Sequence, residues 1–251
     1  MSEVTRIAVV FLIVLLGNFQ AGITGFGSSV LALPFVILLL GLNRAVPLLV
    51  IQAWVLSMLI VFESRRYINW REYRRIVLLA AAGLPVGLWL ADALPDHILR
   101  WTLVAFMTIV GIEGLVRERR RTSDGGRDTQ RPSRWFRVLV PLGGAMQGAF
   151  GTGGPPIVVY ADRAMRDKSI FRATLSMVWL TLNTALVTAF MINGRIDLHQ
   201  TWLNALCLPA TLLGMWGGTH THNRLNEHAF RLSVYAVLVM AAGVLAWSLL
   251  K

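Results

Sequence analysis

The sequence predicts an all-α polytopic membrane protein of two inverted-topology repeats, each a broken half-helix hairpin followed by three transmembrane helices. Three features predict this fold: an apolar composition, a glycine pattern that occurs twice, and basic residues gathered in particular loops. Of the 251 residues, 55% are hydrophobic and 15% are charged. A soluble domain of this length would carry more charge on its surface.

Six apolar stretches have the length of a membrane-spanning helix, which is about 20 residues. They are residues 45–62, 76–92, 98–116, 173–192, 200–219 and 232–250. Two further apolar segments, 7–42 and 135–160, fit a single span poorly. The first is too long, and the second carries Gly-Thr-Gly-Gly-Pro-Pro at its centre. The N-terminal run has neither a strongly basic start nor an obvious cleavage site, so we expect it to be retained.

The second half of the chain repeats the first in the same order. Three glycines recur after 126 residues and a glycine pair recurs after 131 residues. The matches are Gly22, Gly25 and Gly27 with Gly148, Gly151 and Gly153, and Gly83 and Gly87 with Gly214 and Gly218. The sequence therefore predicts a first transmembrane repeat over 1–117, a basic cytoplasmic linker over 118–134 and a second repeat over 135–251.

Basic residues set the predicted orientation, because short cytoplasmic loops retain positive charge. They cluster around Arg71, in the linker around Arg127 and around Arg166, with a weaker group at Arg224 and Arg231. Segment 135–160 must then enter and leave on the cytoplasmic side as two half-helices, and 7–42 must do so from the opposite face. The net charge of +11 is explained by this retention and by contact with anionic lipid, better than by nucleic acid.

The broken segments suggest a site for a small anion. Glycine is a poor helix former, so repeated clusters predict backbone that is interrupted within the membrane, which is typical of transport sites. The second half-helix of each hairpin would begin at Ser28-Ser29 and at Pro155-Pro156, with its N-terminus toward the middle of the membrane. Free N–H groups and the positive end of the helix dipole favour an anion there.

The candidate substrate-binding residues are this interrupted backbone and the hydroxyl and amide side chains near it. Polar groups inside a membrane are costly unless they are paired, so each is a functional candidate. They are Gln20, Gly22, Thr24, Gly25, Gly27, Ser28, Ser29, Gln147, Gly151, Thr152, Gly153, Gly154, Pro155 and Asn183. Helix packing is the alternative for any glycine, and we favour it for the pairs Gly83/Gly87 and Gly214/Gly218. For Gln52, helix-to-helix hydrogen bonding and a functional role stay equally open.

Other chemistry finds little support. The single Cys207 excludes an intramolecular disulfide, and the glycines lack the Gly-Lys-Ser/Thr ending of a nucleotide-binding loop. His220, His222 and His228 are interpreted as loop residues at the interface rather than a metal site. We therefore expect no catalytic residues, no metal and no cofactor.

At the glycine motifs the chain resembles the TauE/SafE family of membrane transporters, also called the sulfite exporter family. The resemblance implies a multi-pass protein of the bacterial inner membrane that moves sulfite, sulfoacetate or another small organosulfur or carboxylate anion. A proton or a sodium ion is the candidate coupling ion. Ser28-Ser29 departs from a more glycine-rich run at this point of the family. The residues that carry the resemblance are Gln20-Ala21-Gly22-Ile23-Thr24-Gly25-Phe26-Gly27 with Pro34, and Gln147-Gly148-Ala149-Phe150-Gly151-Thr152-Gly153-Gly154-Pro155-Pro156.

A passive anion channel of the same architecture is the alternative function. Flux that follows only the anion gradient and ignores a proton gradient would favour it. A membrane-embedded enzyme is disfavoured, because no catalytic set is visible.

Single-cysteine labelling from each face of the membrane checks the predicted topology. Cysteines at the positions of Arg71, Arg127 and Arg166 should react only with reagent on the cytoplasmic side, and cysteines at 193–197 only with external reagent. Labelling of position 166 from outside would contradict both the hairpin and the inverted repeat.

Overall fold

A computed structural model describes residues 2–24, 27–123, 137–165, 167–221 and 227–250. Its regular structure over these residues is helical throughout, with one short 3-10 turn at Arg65–Tyr67. The helices are α1 (Glu3–Thr24), α2 (Ser28–Leu40), α3 (Leu42–Ser64), α4 (Trp70–Ala93), α5 (Asp96–Ser123), α6 (Leu139–Phe150), α7 (Gly154–Ala164), α8 (Lys168–Ile192), α9 (Leu198–Thr221) and α10 (Glu227–Leu249).

The predicted class, an all-α polytopic membrane protein, is confirmed. The six predicted spans coincide with α3, α4, α5, α8, α9 and α10. Among the residues that the structure describes, five helical segments are long and apolar enough to cross a membrane. They are Glu3–Ile23, Leu42–Tyr67, Trp70–Ala93, Asp96–Val116 and Ser169–Ile192. Parts of the basic loops fall outside the described residues, namely most of the linker, Arg166 and Arg224.

Both predicted hairpins are present, and glycines in the left-handed region mark their breaks. Gly27 precedes α2 with φ of 91°, and Gly151 follows α6 with φ of 64°. A side chain at either position would strain the backbone. The two hairpins differ in length, because α1 has 22 residues and α6 has 12. The expectation of a half-helix therefore fits α6, whereas α1 is long enough to cross the membrane.

The four paired glycines lie where helices touch through bare backbone. A side chain at Gly83 or Gly87 of α4 would overlap the carbonyl oxygens of Pro141 or Ala145 in α6. In the same way, Gly214 and Gly218 of α9 lie against the carbonyl oxygens of Leu15 and Phe19 in α1. The prediction that these pairs serve helix packing is confirmed. Pro141 and Ala145 lie 126 residues after Leu15 and Phe19, and Gly214 and Gly218 lie 131 residues after Gly83 and Gly87. These are the offsets at which the glycines recur in the sequence.

Contacts between helices also fix their relative directions. Leu15 and Phe19 meet Gly214 and Gly218 in rising order, so α1 and α9 run parallel. Pro141 and Ala145 meet Gly83 and Gly87 in rising order, so α4 and α6 run parallel as well.

The remaining long helices extend this pattern of directions. Asn69 N, just before α4, donates to Thr174 Oγ1, and Trp54 Nε1 donates to Thr184 Oγ1, so α3 and α8 run antiparallel. Gly111 and Gly114 of α5 meet Val239 and Tyr235 in falling order. Equivalent helices α3 and α8, and α5 and α10, thus run in opposite directions, as an inverted repeat requires.

Polar contacts join the predicted loops into two groups, one at each end of the helix bundle. At one end, Asn69 lies next to Thr174, and Arg172 Nη2 donates to Thr219 Oγ1 at 3.2 Å. At the other end, Arg195 pairs with Asp92. Loops that we predicted to share a face of the membrane therefore lie together.

The bare-backbone contact between α4 and α6 predicts a large effect of a branched side chain. Gly87→Val should lower the stability of the folded protein by on the order of 3 kcal/mol, because the side chain must push α6 away. The folded fraction in detergent, measured by size exclusion and thermal unfolding, gives the result.

Gly243→Val provides the control for Gly87→Val. Nothing lies within 4 Å of a Cβ at Gly243 in α10, so this variant should fold almost as the wild type does. Equal behaviour of the two variants would contradict the packing role of Gly87.

Candidate functional site

A cavity of about 440 Å³, including its opening to solvent, lies where the two hairpins meet α3 and α8. It gathers eight of the predicted site residues from distant parts of the chain. They are Gly27, Ser28, Ser29, Gln147, Gly151, Thr152, Gly154 and Asn183. The other lining residues are Ala21, Val30, Ala53, Leu56, Ser57, Ile60 and Trp179. We call this space the glycine cavity.

The N-termini of α2 and α7 meet at the glycine cavity. A Cβ placed on Gly154, the first residue of α7, would lie 3.7 Å from Val30 Cγ2 in the first turn of α2. Helix N-termini carry unpaired N–H groups and partial positive charge. Two such termini side by side favour an anion between them.

The two termini offer different numbers of donors. In α2 the first backbone bond across the cap runs from Leu31 N to Gly27 O at 3.2 Å, so helix geometry leaves the three preceding amides without an intrahelical partner. In α7 the second and third residues are Pro155 and Pro156, which have no N–H. These two positions therefore supply no amide to the cavity. The richer terminus is therefore the one that begins with two serines.

Gln147 bridges the break between α6 and α7. Its Oε1 accepts a hydrogen bond from Gly153 N at 2.6 Å, and its Nε2 donates to Asn183 Oδ1 in α8 at 2.6 Å. Gln147 and Asn183 are only 3% and 2% exposed. Both amides are therefore engaged with protein groups, and their first role is to hold the break in shape.

Gln20 lies in the corresponding place at the first break. A Cβ on Gly27 would lie 3.1 Å from Gln20 Oε1 and 3.2 Å from its Nε2. The side-chain amide of Gln20 thus lies against Gly27 at the first break, as the side-chain amide of Gln147 lies against Gly153 at the second break.

Two buried donors of the glycine cavity have no hydrogen-bond partner in the described part of the chain. They are Thr152 Oγ1 and the indole Nε1 of Trp179. Thr152 is 3% exposed and Trp179 is 8% exposed. A buried polar group without a partner costs free energy, and an indole N–H can only donate. Both atoms are suited to an acceptor-rich ligand.

Some predicted site residues lie elsewhere. Gly22 packs on α9, where a Cβ would lie 2.8 Å from Met215 O, and Gly153 packs on the backbone of α6. Gln20 and Pro155 line a second cavity beside the first. Gly25 and the side chain of Thr24 fall outside the described residues.

Gln52 belongs to a buried network between helices. Its Nε2 donates to Asn204 Oδ1 at 3.0 Å, and its Oε1 accepts from Thr211 Oγ1 at 2.7 Å. Asn18 Nδ2 donates to the same threonine hydroxyl at 3.1 Å. These bonds join α1, α3 and α9, so hydrogen bonding between helices accounts for Gln52.

Thr181 is paired away from the glycine cavity. Its Oγ1 lies 2.9 Å from the hydroxyl of Tyr73, and it does not line the cavity. His220 Nδ1 lies 2.9 Å from Trp216 O. His222 and the side chain of His228 lie outside the described residues, so the interpretation of these two histidines as interface loop residues stays a prediction.

Sequence reasoning missed Trp179 and Ser57. Trp179 precedes Asn183 by one helical turn on α8, so both share a face, and this spacing was the available signal. Ser57 lies on α3 among apolar residues, and its hydroxyl donates to Ala53 O at 2.7 Å. Nothing in its sequence context separates it from a serine that serves helix packing.

The described residues that line the glycine cavity include no charged side chain. An anion there would be held by dipoles: helix N-termini, hydroxyls and an indole. Broken helices within a bundle, a cavity with buried hydrogen-bond donors at their breaks and apolar spans around them define a polytopic membrane transporter.

Comparison with known proteins names the group of transporters. The family model for the sulfite exporter TauE/SafE matches residues 10–245, so the chain belongs to this family and is a transporter rather than an enzyme. The chain is 27% identical over 184 residues to a protein named "Probable inner membrane transporter protein TsaS" from Comamonas testosteroni, covering 71% of this chain and 72% of that protein. No solved structure matches the chain.

The bond between Gln147 and Asn183 predicts coupled effects of substitution. Gln147→Leu and Asn183→Leu should each lower the free energy of unfolding by about 1–3 kcal/mol, because each leaves a buried polar partner unpaired. The double variant should cost clearly less than the sum of the two, because both remove the same bond.

Thermal unfolding in detergent measures these differences. Thr188→Val, on an exposed part of the same helix, is the control and should change stability little. Additive effects of the two leucine substitutions would contradict the bridge.

Proposed function

We propose that the protein is a secondary transporter of a small organosulfur or carboxylate anion, such as sulfite or sulfoacetate, in the bacterial inner membrane. The anion is held in the glycine cavity between the N-termini of α2 and α7. The names of the family and of the C. testosteroni relative support the class of substrate and the membrane.

This proposal rests on one observation: two buried hydrogen-bond donors of the glycine cavity have no acceptor among the described residues. Thr152 Oγ1 and Trp179 Nε1 are buried without a partner, and both residues line the cavity where the two helix N-termini meet. Sulfonate and carboxylate groups are compact and carry only acceptor oxygens at neutral pH, as does the fully ionised form of sulfite, so they match this set.

The unequal termini suggest how a substrate with two acidic ends would sit. The α2 terminus supplies three amides and the hydroxyls of Ser28 and Ser29, enough for the three oxygens of a sulfonate. The α7 terminus lacks amides at its two prolines and supplies the Gly154 amide and Thr152, which suits a smaller carboxylate. Ser28-Ser29, where the chain departs from its family's pattern, therefore forms the half-site that takes the larger group.

We also propose that the two repeats, 1–117 and 135–251, move against each other during transport, with 118–134 as the linker. The opposite directions of equivalent helices and the repeated glycine contacts support this arrangement. Alternating access in such proteins is largely rigid-body rocking around a fixed site. A passive channel would need no such movement, and its flux would follow the anion gradient alone.

Removing single donors should weaken anion binding. Thr152→Val keeps the side-chain volume about constant, and Trp179→Phe keeps an aromatic ring, yet each removes one donor. Each should raise the free energy of binding by on the order of 1–3 kcal/mol, as expected for a hydrogen bond to a charged group. Isothermal calorimetry of the purified protein with sulfite and sulfoacetate gives the values.

Thr181→Val is the matched control, because it removes the same hydroxyl from α8 at a position bonded to Tyr73 outside the cavity. Its anion affinity should equal that of the wild type. A thermal-shift screen of small anions identifies the best ligand first, since a ligand of the folded state raises apparent stability. Binding of cations or neutral solutes, with no response to any of these anions, would contradict the proposed function.

A further inference from the structure

A second cavity of about 610 Å³, including its opening, lies next to the glycine cavity. We call it the lateral cavity. Gly27 and Val30 line both cavities, and Gln20 and Pro155 line the lateral one. The backbone of both helix breaks is therefore shared between, or borders, the two spaces. A ligand bound in either cavity therefore lies against residues that also line the other cavity.

The lateral cavity contains a carboxyl group, Glu113 of α5. This residue lies inside the apolar segment Asp96–Val116, which is long and apolar enough to cross a membrane. An ionisable residue in a membrane span is expensive and is a functional candidate by default. Glu113 is exposed, and among the described side chains it has no hydrogen-bond or ion-pair partner; the side chain of Arg117, one turn further along α5, lies outside the described residues.

The neighbours of Glu113 hold it beside the helix breaks. The next residue, Gly114, packs on the ring of Tyr235 in α10, where any side chain would overlap the ring. This contact sets the rotation of α5 at Glu113. Among the described residues that line the lateral cavity, Tyr235 is the one other titratable group. The lining residues contributed by α2 and α7 are apolar: Val30, Leu31, Pro155, Val158 and Val159.

We propose that Glu113 binds the proton that couples anion transport to the proton gradient. This inference rests on the proposed function. A carboxylate beside the glycine cavity repels a bound anion, and protonation removes that repulsion. By linkage, a bound anion must equally favour the protonated carboxyl group. Proton and anion therefore bind together and are released together, which makes the protein a proton–anion symporter.

The position of Glu113 fits such a role in space. It lies 17 residues after Asp96, or about 25 Å along α5, which places it toward the predicted cytoplasmic end of the span. The proton adds to a carboxylate oxygen on one side of the membrane and leaves the same oxygen on the other side, so no further reactant is needed.

Transport of labelled sulfoacetate in proteoliposomes separates binding from coupling. One assay measures tracer exchange with equal sulfoacetate and equal pH on both sides. The other measures accumulation driven by a difference of one pH unit, with the membrane potential held at zero. Sulfoacetate is a suitable probe because its acidic groups stay ionised above about pH 6, so pH does not change its charge.

We expect the wild type to accumulate sulfoacetate by about tenfold, the ratio that one pH unit supports at one proton per anion. Glu113→Gln should keep exchange within about twofold of wild type and lose the accumulation, while Glu113→Asp should retain part of it. Glu63→Gln is the control, because Glu63 is, like Glu113, an exposed carboxylate, but it lies at the end of α3 and lines neither cavity. It should accumulate the anion as the wild type does.

Several outcomes would overturn the proposal. Tenfold accumulation by Glu113→Gln, or loss of exchange together with accumulation in the folded variant, contradicts a role in coupling. Glu113→Ala replaces the glutamine variant if that protein does not insert. A wild type that exchanges sulfoacetate or sulfite but ignores the pH difference refutes the coupling role and leaves the proposed function standing. A wild type that exchanges neither anion removes the basis of both.

Discussion

Within the hydrocarbon core of a membrane, every backbone N–H and C=O needs a partner from the protein. The rest of this structure depends on how two broken helices meet that requirement. At the second break, Gln147 occupies the Gly153 amide and is itself tied to Asn183. At the first break, helix geometry leaves the amides of Ser28, Ser29 and Val30 without an intrahelical partner, and these residues line the glycine cavity. The same interruption of the backbone thus creates both the need for a partner such as Gln147 and the free donors on which the proposed anion site rests.

The sequence offsets between matched glycines also relate two sets of helix contacts. Glycines of α4 lie on carbonyl oxygens of α6, and glycines of α9 lie on those of α1, at positions that differ by these offsets. The first helix of each predicted hairpin therefore packs against a helix of the other predicted repeat, whereas α2 also packs against α3 of its own repeat.

The breaks, the spans and eight site residues could be predicted because glycine clusters and apolar length act locally. Other assignments depend on which helix lies next to which. Gly22 has the same local pattern as Gly27, yet α9 covers it. Trp179 faces the cavity because of the rotation of α8, and Glu113 because of the contact between Gly114 and Tyr235. The spacing of Trp179 from Asn183 indicates a shared face of α8, but the sequence near Glu113 carries no signal for the rotation of α5, so its place in a cavity could not be predicted.

The described lining of the glycine cavity has no charged side chain, and this bears on turnover. A fixed arginine or lysine there would hold an anion strongly and slow its departure, whereas helix dipoles and hydroxyls hold it with partial charges only. A carrier must let its cargo go as readily as it takes it up, as permeation through channels also requires. A site without fixed charge, as we propose for the glycine cavity, would therefore bind its anion less tightly and release it faster.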